Sequence, residues 1–325
     1  MAILVFAENV KGVYKKPTLE ALSYASAVAK NLGTEVHALT FGTVANEQYQ
    51  NLASYGASKI YVINHSALTQ FIGPAYASGI AAVAQQTQAQ MVIMPQTYNG
   101  RAVAPRVAVK LDAAMFSGVT TLVTKTGNGY EVQRSAYSLK AIETVFSNHD
   151  KLVITLKVNA YKLEKNPAAG AVEDFAFEPS AKDLALKPQK VISASSKISL
   201  TEADVVVSAG RGLKGPENWG MIEELADLLG AATACSKPVA DVEWRPHHEH
   251  VGQTGIQISP NIYIAIGISG AIQHLAGVSS SKTIVVINSD AEAPFFKAAD
   301  VGVVGDAFQV VPALIDSIKK YKASH

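Results

Sequence analysis

Apolar and polar positions alternate in two rhythms along most of this chain. Residues 2–8 form an apolar run closed by a charge, Glu8. Leu19, Leu22, Ala25, Ala29 and Leu32 then recur at helical spacing up to Gly33, a residue type suited to ending a helix. The same pattern predicts strands over 35–41, 59–63 and 91–94, with helices over 46–54, 74–88 and 104–111. Such alternation implies a parallel sheet covered by helices on both faces. From Gly118 the runs shorten. Residues 119–123, 130–134, 144–147 and 152–158 are β-rich and turn-separated, which predicts an antiparallel extension.

After Ala160 the pattern dissolves into Asn166-Pro167-Ala168-Ala169-Gly170 and an acidic stretch at 173–178, read as a linker or surface crossing. Regular alternation then resumes. Strands are predicted at 204–209, 231–235, 261–268, 283–288 and 301–304, with helices at 219–229, 271–276, 295–299 and 308–320. The prediction is an α/β protein of two doubly wound domains. The first, residues 1–188, is a nucleotide-hydrolase-like parallel sheet with a β-rich extension, and the second, 189–325, is another parallel-sheet domain.

Composition narrows the function classes. A chain of 325 residues fits two domains of ordinary size, and 48% hydrophobic with 17% charged residues describes packed cores. A net charge of +1 provides no basic field, and no Lys/Arg cluster is interleaved with aromatics, so nucleic-acid binding is not expected. No apolar run reaches the roughly 18 to 20 residues that span a bilayer. The opening apolar segment contains Glu8 and has no charged leader before it, so the chain is expected to start directly with a folded strand. One cysteine, Cys235, rules out an intrachain disulfide and a cysteine-rich metal site, and a reducing, cytoplasmic compartment is expected. Cys235 ends a buried-type strand and is read as packing. Three histidines between Trp244 and His250 lie too close together to converge on a metal as helical i, i+4 ligands do, and are expected on a solvent-facing loop near the mouth of the ligand site that follows. His37, His65 and His149 are scattered and receive no role.

The candidate chemistry concentrates at residues 251–274. Two polar loops bracketed by glycines, Gly252-Gln253-Thr254-Gly255 and Gly267-Ile268-Ser269-Gly270, flank an apolar strand, and His274 follows. Glycines let backbone N–H groups approach a ligand closely. Thr254, Ser269 and His274 offer the hydrogen bonds that a heteroaromatic ring with carbonyls and aza nitrogens requires. Upstream, Gly210-Arg211-Gly212-Leu213-Lys214-Gly215 follows a strand as a dinucleotide fingerprint does. Its second half is missing, because the end of the next strand reads Cys235-Ser236-Lys237 where a ribose-binding acid belongs.

The ordered set GRGLKGPENW, SKPVAD, VGQTG, GISGAIQH, INSD and VGVVGD resembles the C-terminal domain of the electron-transfer flavoprotein alpha subunit over about 120 residues. The MAILVFAE opening and the Asn99-Gly100-Arg101 turn resemble the same subunit more weakly. The resemblance implies an electron carrier that holds an extended FAD and pairs with a beta subunit carrying AMP. It implies electrons accepted from dehydrogenases, such as those of fatty acid oxidation, and passed singly to a quinone-reductase-type acceptor. Thr254 would then bond the flavin N(5) region, Gln253 and Gly255 the adjacent backbone, and His274 the pyrimidine-ring carbonyl. Ser236 would lie at the ring edge. Ser269 and Gly270 would meet the pyrophosphate or ribityl chain, with Gln273 beside them and Arg211 near the pyrophosphate. Asn288 and Asp306 would recognise the adenosine. One departure is Lys237, where many members carry arginine; a lysine keeps the charge but loses the planar fork, so altered flavin potentials are expected. The N-terminal domain is expected to dock the beta subunit. Two other readings stand beside this one: a nicotinamide-dependent dehydrogenase using the Gly210 loop, and a non-redox adenine-nucleotide-binding protein.

Overall fold

A computed structural model describes residues 2–137, 141–186, 188–189 and 199–324 of the chain. It divides into two compact units, Met1–Ile192 and Ser193–His325. Among the described residues no helix is long and apolar enough to cross a membrane.

The first unit opens with β1 (Ala2–Phe6), a small hairpin of β2 (Asn9–Val10) and β3 (Val13–Tyr14), and α1 (Lys16–Leu32). Pro17 starts α1, and Gly33 ends it in the left-handed conformation, with φ at 64°. There follow β4 (Glu35–Phe41), α2 (Asn46–Ser54), β5 (Lys59–Ile63), α3 (Gly73–Gln86), β6 (Ala89–Pro95) and α4 (Tyr98–Leu111). Then come β7 (Ala114–Val119), β8 (Thr124–Thr126), β9 (Gly129–Ala136), β10 (Ala141–Ser147), β11 (Leu152–Leu156) and β12 (Ala171–Asp174). Apart from the β2–β3 hairpin, the described strands of this unit form one sheet in the order β10-β9-β7-β11-β6-β1-β4-β5-β12, with β8 beside β9. Its centre is parallel and buried on both faces, and β1 is buried at all five positions.

Four expectations are corrected here. The run at 152–158 is not antiparallel: β11 lies parallel between β6 and β7, buried throughout. Its unbroken apolar pattern is that of a strand covered on both faces, and only β8, β9 and β10 form the antiparallel extension. The strand expected at 119–123 lies earlier, as β7. The acidic stretch contains an edge strand, β12, paired in parallel with β5 and tied by Lys59 to Glu173 at 2.9 Å. All four of its residues are exposed, so no apolar periodicity announces it. Helix α4 also starts six residues before its predicted beginning. Thr97 caps it by accepting from the Gly100 N–H at 3.0 Å, and a Cβ on Gly100 would fall 2.0 Å from the Pro95 carbonyl oxygen.

The second unit contains β13 (Val205–Ala209), α5 (Gly220–Leu229), β14 (Ala232–Cys235), α6 (Lys237–Asp241), β15 (Ile262–Ile266), α7 (Ile272–Val278), β16 (Thr283–Asn288), β17 (Val301–Val304) and α8 (Ala307–Ser324). The helix expected at 295–299 is a short 3-10 turn, Pro294–Ala298. All five strands are parallel, in the order β14-β13-β15-β16-β17. This is a doubly wound sheet whose strand order reverses between β13 and β15. Alternation along β15 sends Ile264 and Ile266 toward α5 and α8, and Tyr263 and Ala265 into the opposite layer with Val278 and Phe295. That parity decides which side chain reaches the site.

A cofactor cleft at the strand crossover

Crevices outside the carboxyl ends of strands, at the point where strand order reverses, are the usual ligand sites of open α/β sheets. The second unit has such a cleft, about 570 Å³ in volume, walled by the residues that follow β13, β14, β15 and β16. Arg211, Ser236, Lys237, Gln253, Thr254, Ser269, Gln273, His274 and Asn288 all border it. Nine of the twelve residues expected from sequence are thus brought to one cavity.

The other three serve the scaffold. A Cβ on Gly255 would stand 2.4 Å from the His250 carbonyl oxygen, so the glycine lets the turn close over His250. Gly270, at φ +83°, abuts the Phe295 backbone, where a Cβ would stand 2.6 Å from its nitrogen. Asp306 begins α8: its Oδ1 accepts from the Phe308 N–H at 3.0 Å, and it does not border the cleft. Asp290, which does border the cleft, was not foreseen; its N–H donates to Asn288 Oδ1 at 3.0 Å, while Asn288 Nδ2 donates to the Ile268 carbonyl at 3.0 Å.

The Gly210 loop has a packing task. A Cβ on Gly210 would meet the Gly267 carbonyl oxygen at 2.3 Å, and one on Gly212 the Gly267 Cα at 2.7 Å. The Gly210 N–H donates to the Ile266 carbonyl and the Gly212 N–H to the Gly267 carbonyl, at 2.9 and 3.1 Å. Two glycine loops from neighbouring strands therefore touch backbone to backbone. These N–H groups are spent on the protein, the loop itself contains a 3-10 turn at Arg211–Leu213, and a second one, Pro216–Trp219, separates it from α5, so the dinucleotide fingerprint reading fails. On the far wall, Gly277 lets α7 rest directly on the Gly252–Gly255 loop, since its Cβ would be 2.5 Å from the Gly252 Cα.

His274 is the most constrained polar group in the cleft. Its Nε2 lies 2.8 Å from the Tyr263 hydroxyl, while Nδ1 is buried with no hydrogen-bond partner. Burial, assisted by the nearby His250, pushes its pKa down to about 4, and the Val251 carbonyl opposes this only weakly. The imidazole is therefore neutral at neutral pH. With the Tyr263 hydroxyl as donor to Nε2, the ring proton sits on Nδ1. A buried unsatisfied donor costs about 1 to 3 kcal/mol, which a ligand oxygen would recover.

A measurable consequence follows from the sign of this shift. Above an ordinary histidine pKa, near 6.5, native and unfolded states are both neutral here, and stability does not depend on this ring. Between that value and about 4 the unfolded chain takes up a proton that the native state refuses, so stability falls as pH falls. The loss is on the order of 3 kcal/mol at completion. Urea titrations of the cofactor-free chain from pH 6.5 to 4.5 are expected to show a shallower decline for His274→Asn than for the wild type. Equal slopes would contradict a neutral His274.

The histidine loop is not wholly solvent-facing. Arg245 forks onto Glu249 at 2.8 and 2.7 Å, reaches Glu223 at 3.0 Å and lies over the Trp219 ring at 5.4 Å. Glu249 and His250 are buried, and His250 borders the cleft. Cys235 is fully buried, and desolvation pushes its thiol up to about 12, which leaves it inert.

A parallel sheet in this order, with a polar cleft at the reversal and a buried ring nitrogen without a partner beside it, defines a cofactor-binding α/β protein. Residues 199–279 match the electron transfer flavoprotein FAD-binding domain, and residues 3–180 match the electron transfer flavoprotein domain. The chain is 39% identical to the electron transfer flavoprotein subunit alpha of Syntrophomonas wolfei, over 97% of this chain and 98% of that one. It is 36% identical to that of Mycobacterium leprae, over 98% of each, and 33% identical to that of Bacillus subtilis, over 98% and 97%. This chain belongs to the electron transfer flavoprotein alpha subunit family. It is an electron carrier and not a substrate-converting enzyme, and its second unit is an FAD-binding domain. The dehydrogenase and nucleotide-sensor readings are set aside.

Proposed function

We propose that the cleft between the β13, β14, β15 and β16 loops holds the FAD of a heterodimer. In that heterodimer a beta subunit carrying AMP docks on the first unit, and the protein works in a reducing cytoplasmic compartment. The observation that carries the assignment of the cleft is the buried His274 Nδ1, a polar atom with no partner bordering a cavity of cofactor size. The donor set agrees. Ser236 begins α6 without using its hydroxyl as a helix cap, and Thr254, Gln253 and Gln273 border the same space.

Bound FAD supplies the redox chemistry, an isoalloxazine ring able to take up electrons and release them singly. The chain's residues hold and bias it. His274 would meet a pyrimidine-ring carbonyl through Nδ1, Thr254 and Gln253 the N(5) side, and Ser236 the ring edge. Lys237 and Arg211 would place cations near the ring edge and the pyrophosphate, while Ser269 and Asn288 would order the loop beneath the rest of the cofactor. A hydrogen bond to a charged acceptor is worth about 1.5 to 3 kcal/mol, so one such residue would shift a one-electron potential by roughly 65 to 130 mV. Electrons would arrive from dehydrogenases, such as those acting on acyl-CoA, and leave to a quinone-reductase-type acceptor.

Co-expression with the beta subunit, followed by cofactor extraction, tests this reading. One FAD and one AMP per heterodimer are expected for simple transfer, and two FAD would indicate splitting of electron pairs between two acceptors. A colourless heterodimer would refute the assignment of the cleft.

A further inference from the structure

His250 borders the cleft and is buried, yet none of the roles above uses it. Its backbone is held from both sides. It bridges to Cys235, the Val251 N–H donates to the Cys235 carbonyl at 3.0 Å, and the Ile256 N–H donates to the His250 carbonyl at 2.9 Å. The ring sits in the curl of the following turn: a Cβ on Gly255 would be 2.8 Å from Nδ1, and one on Gly252 would be 3.3 Å from Nε2. The Gly252 point is also 3.7 Å from the His274 Cα, so the two histidines flank one glycine at the wall of the cleft. Among the described residues, none makes a hydrogen bond to the His250 ring.

We propose that His250 is the proton-accepting group coupled to reduction of the flavin in this cleft. An electron reaching the cofactor from a reduced donor, which is thereby oxidised, draws one proton from solvent onto the His250 imidazole, and that proton returns to solvent when the electron leaves. The inference rests on the FAD reading of the cleft.

The surroundings favour His250 over its neighbours for this role. Desolvation holds its pKa below the ordinary histidine value, so the ring is neutral while no negative charge occupies the cleft. Lys237, at the start of α6, and His247, on its own turn, push in the same direction, and Asp241 of α6 opposes them. In a buried site an added negative charge acts through a low dielectric and shifts a nearby titrating group strongly. His274, from α7, is more deeply desolvated and tied to Tyr263, which leaves it neutral. Arg245 is matched by Glu249 and Glu223, and the β14 thiol of Cys235 stays protonated. His250 is thus the cleft imidazole whose ring is unengaged and whose charge can change.

The experiment uses the flavin-loaded heterodimer and measures the first reduction potential against pH. In the wild type the reduced-to-oxidised ratio at fixed potential is expected to fall tenfold per pH unit over the coupled range, equivalent to about 59 mV. His250→Gln, which cannot titrate, is expected to flatten that slope, and His250→Asn serves as the second variant against a folding defect. Nitrogen NMR of the wild-type His250 ring needs no variant: it should read neutral in the oxidised protein and protonated in the reduced one. A wild-type slope retained in both variants, or a ring that stays neutral on reduction, would overturn the inference while leaving the FAD assignment intact. A wild-type heterodimer without flavin would instead overturn the reading of the cleft on which the inference stands.

Discussion

Gly267→Val is expected to destabilise the second unit by about 2 to 5 kcal/mol and to empty it of flavin. Two independent terms add. Gly267 has φ at +60°, a conformation that costs an L-residue roughly 1 to 2 kcal/mol and a β-branched one more. Its Cβ would also stand 2.9 Å from the Gly212 Cα and 3.2 Å from the Gly212 carbonyl carbon, which are backbone atoms with no flexible end to swing away. Relief requires the β13 and β15 loops to part, and both wall the cleft. Gly212→Ala probes the same contact from the other side, without the conformational penalty, and should fall between the wild type and Gly267→Val. Because both substitutions act on one contact, the double variant should cost less than their sum. Urea unfolding together with flavin absorbance per mole of protein checks this. A Gly267→Val protein with full flavin content and an unchanged midpoint would show that the loop contact does not matter.

Arg245→Met carries the second large expected effect, a loss of about 3 to 5 kcal/mol. The guanidinium satisfies Glu249, whose side chain is only 8% exposed, and removing it leaves that carboxylate buried without a counter-charge. The ring contact with Trp219 is lost at the same time. The damage should reach the cleft, since the turn holding Glu249 leads directly into His250 and Val251. Arg245→Met combined with Glu249→Gln should recover part of the loss, because the uncompensated charge goes with the second substitution. A single variant as stable as the wild type, or a double variant no better than the single, would contradict the account. Chemical unfolding of the three proteins at neutral pH gives the comparison.

Much of this protein is legible in its pattern of residues. The central parallel strands of both units lie in largely apolar runs, because burial on both faces leaves little room for polar alternation, and several predicted boundaries coincide with the observed ones. The cleft was equally accessible: glycine-bracketed polar loops at strand ends are placed by the sheet itself, so nine expected residues meet. Two kinds of error remain. β12 is exposed at every position and is held by backbone pairing with β5, which carries no side-chain signature. β11 was misassigned because sequence order put it after a hairpin, whereas its place between β6 and β7 depends on partners distant in the chain.

At the site the division is similar. The amino acids alone determined the chemistry on offer: hydroxyls at Ser236, Thr254 and Ser269, amides at Gln253 and Gln273, cations at Arg211 and Lys237, and imidazoles at His250 and His274. Protonation and direction were decided only by tertiary structure. His274 is neutral because burial desolvates it, with His250 nearby, and its ring is held by Tyr263, which the parity of β15 places there. Asp306 caps a helix because α8 begins there, and His250 moved from a presumed surface loop to the wall of the cleft. Residue type fixes which bonds a group is able to make. Desolvation and the positions of neighbours far along the chain select the bonds it does make, and neither is written in local sequence.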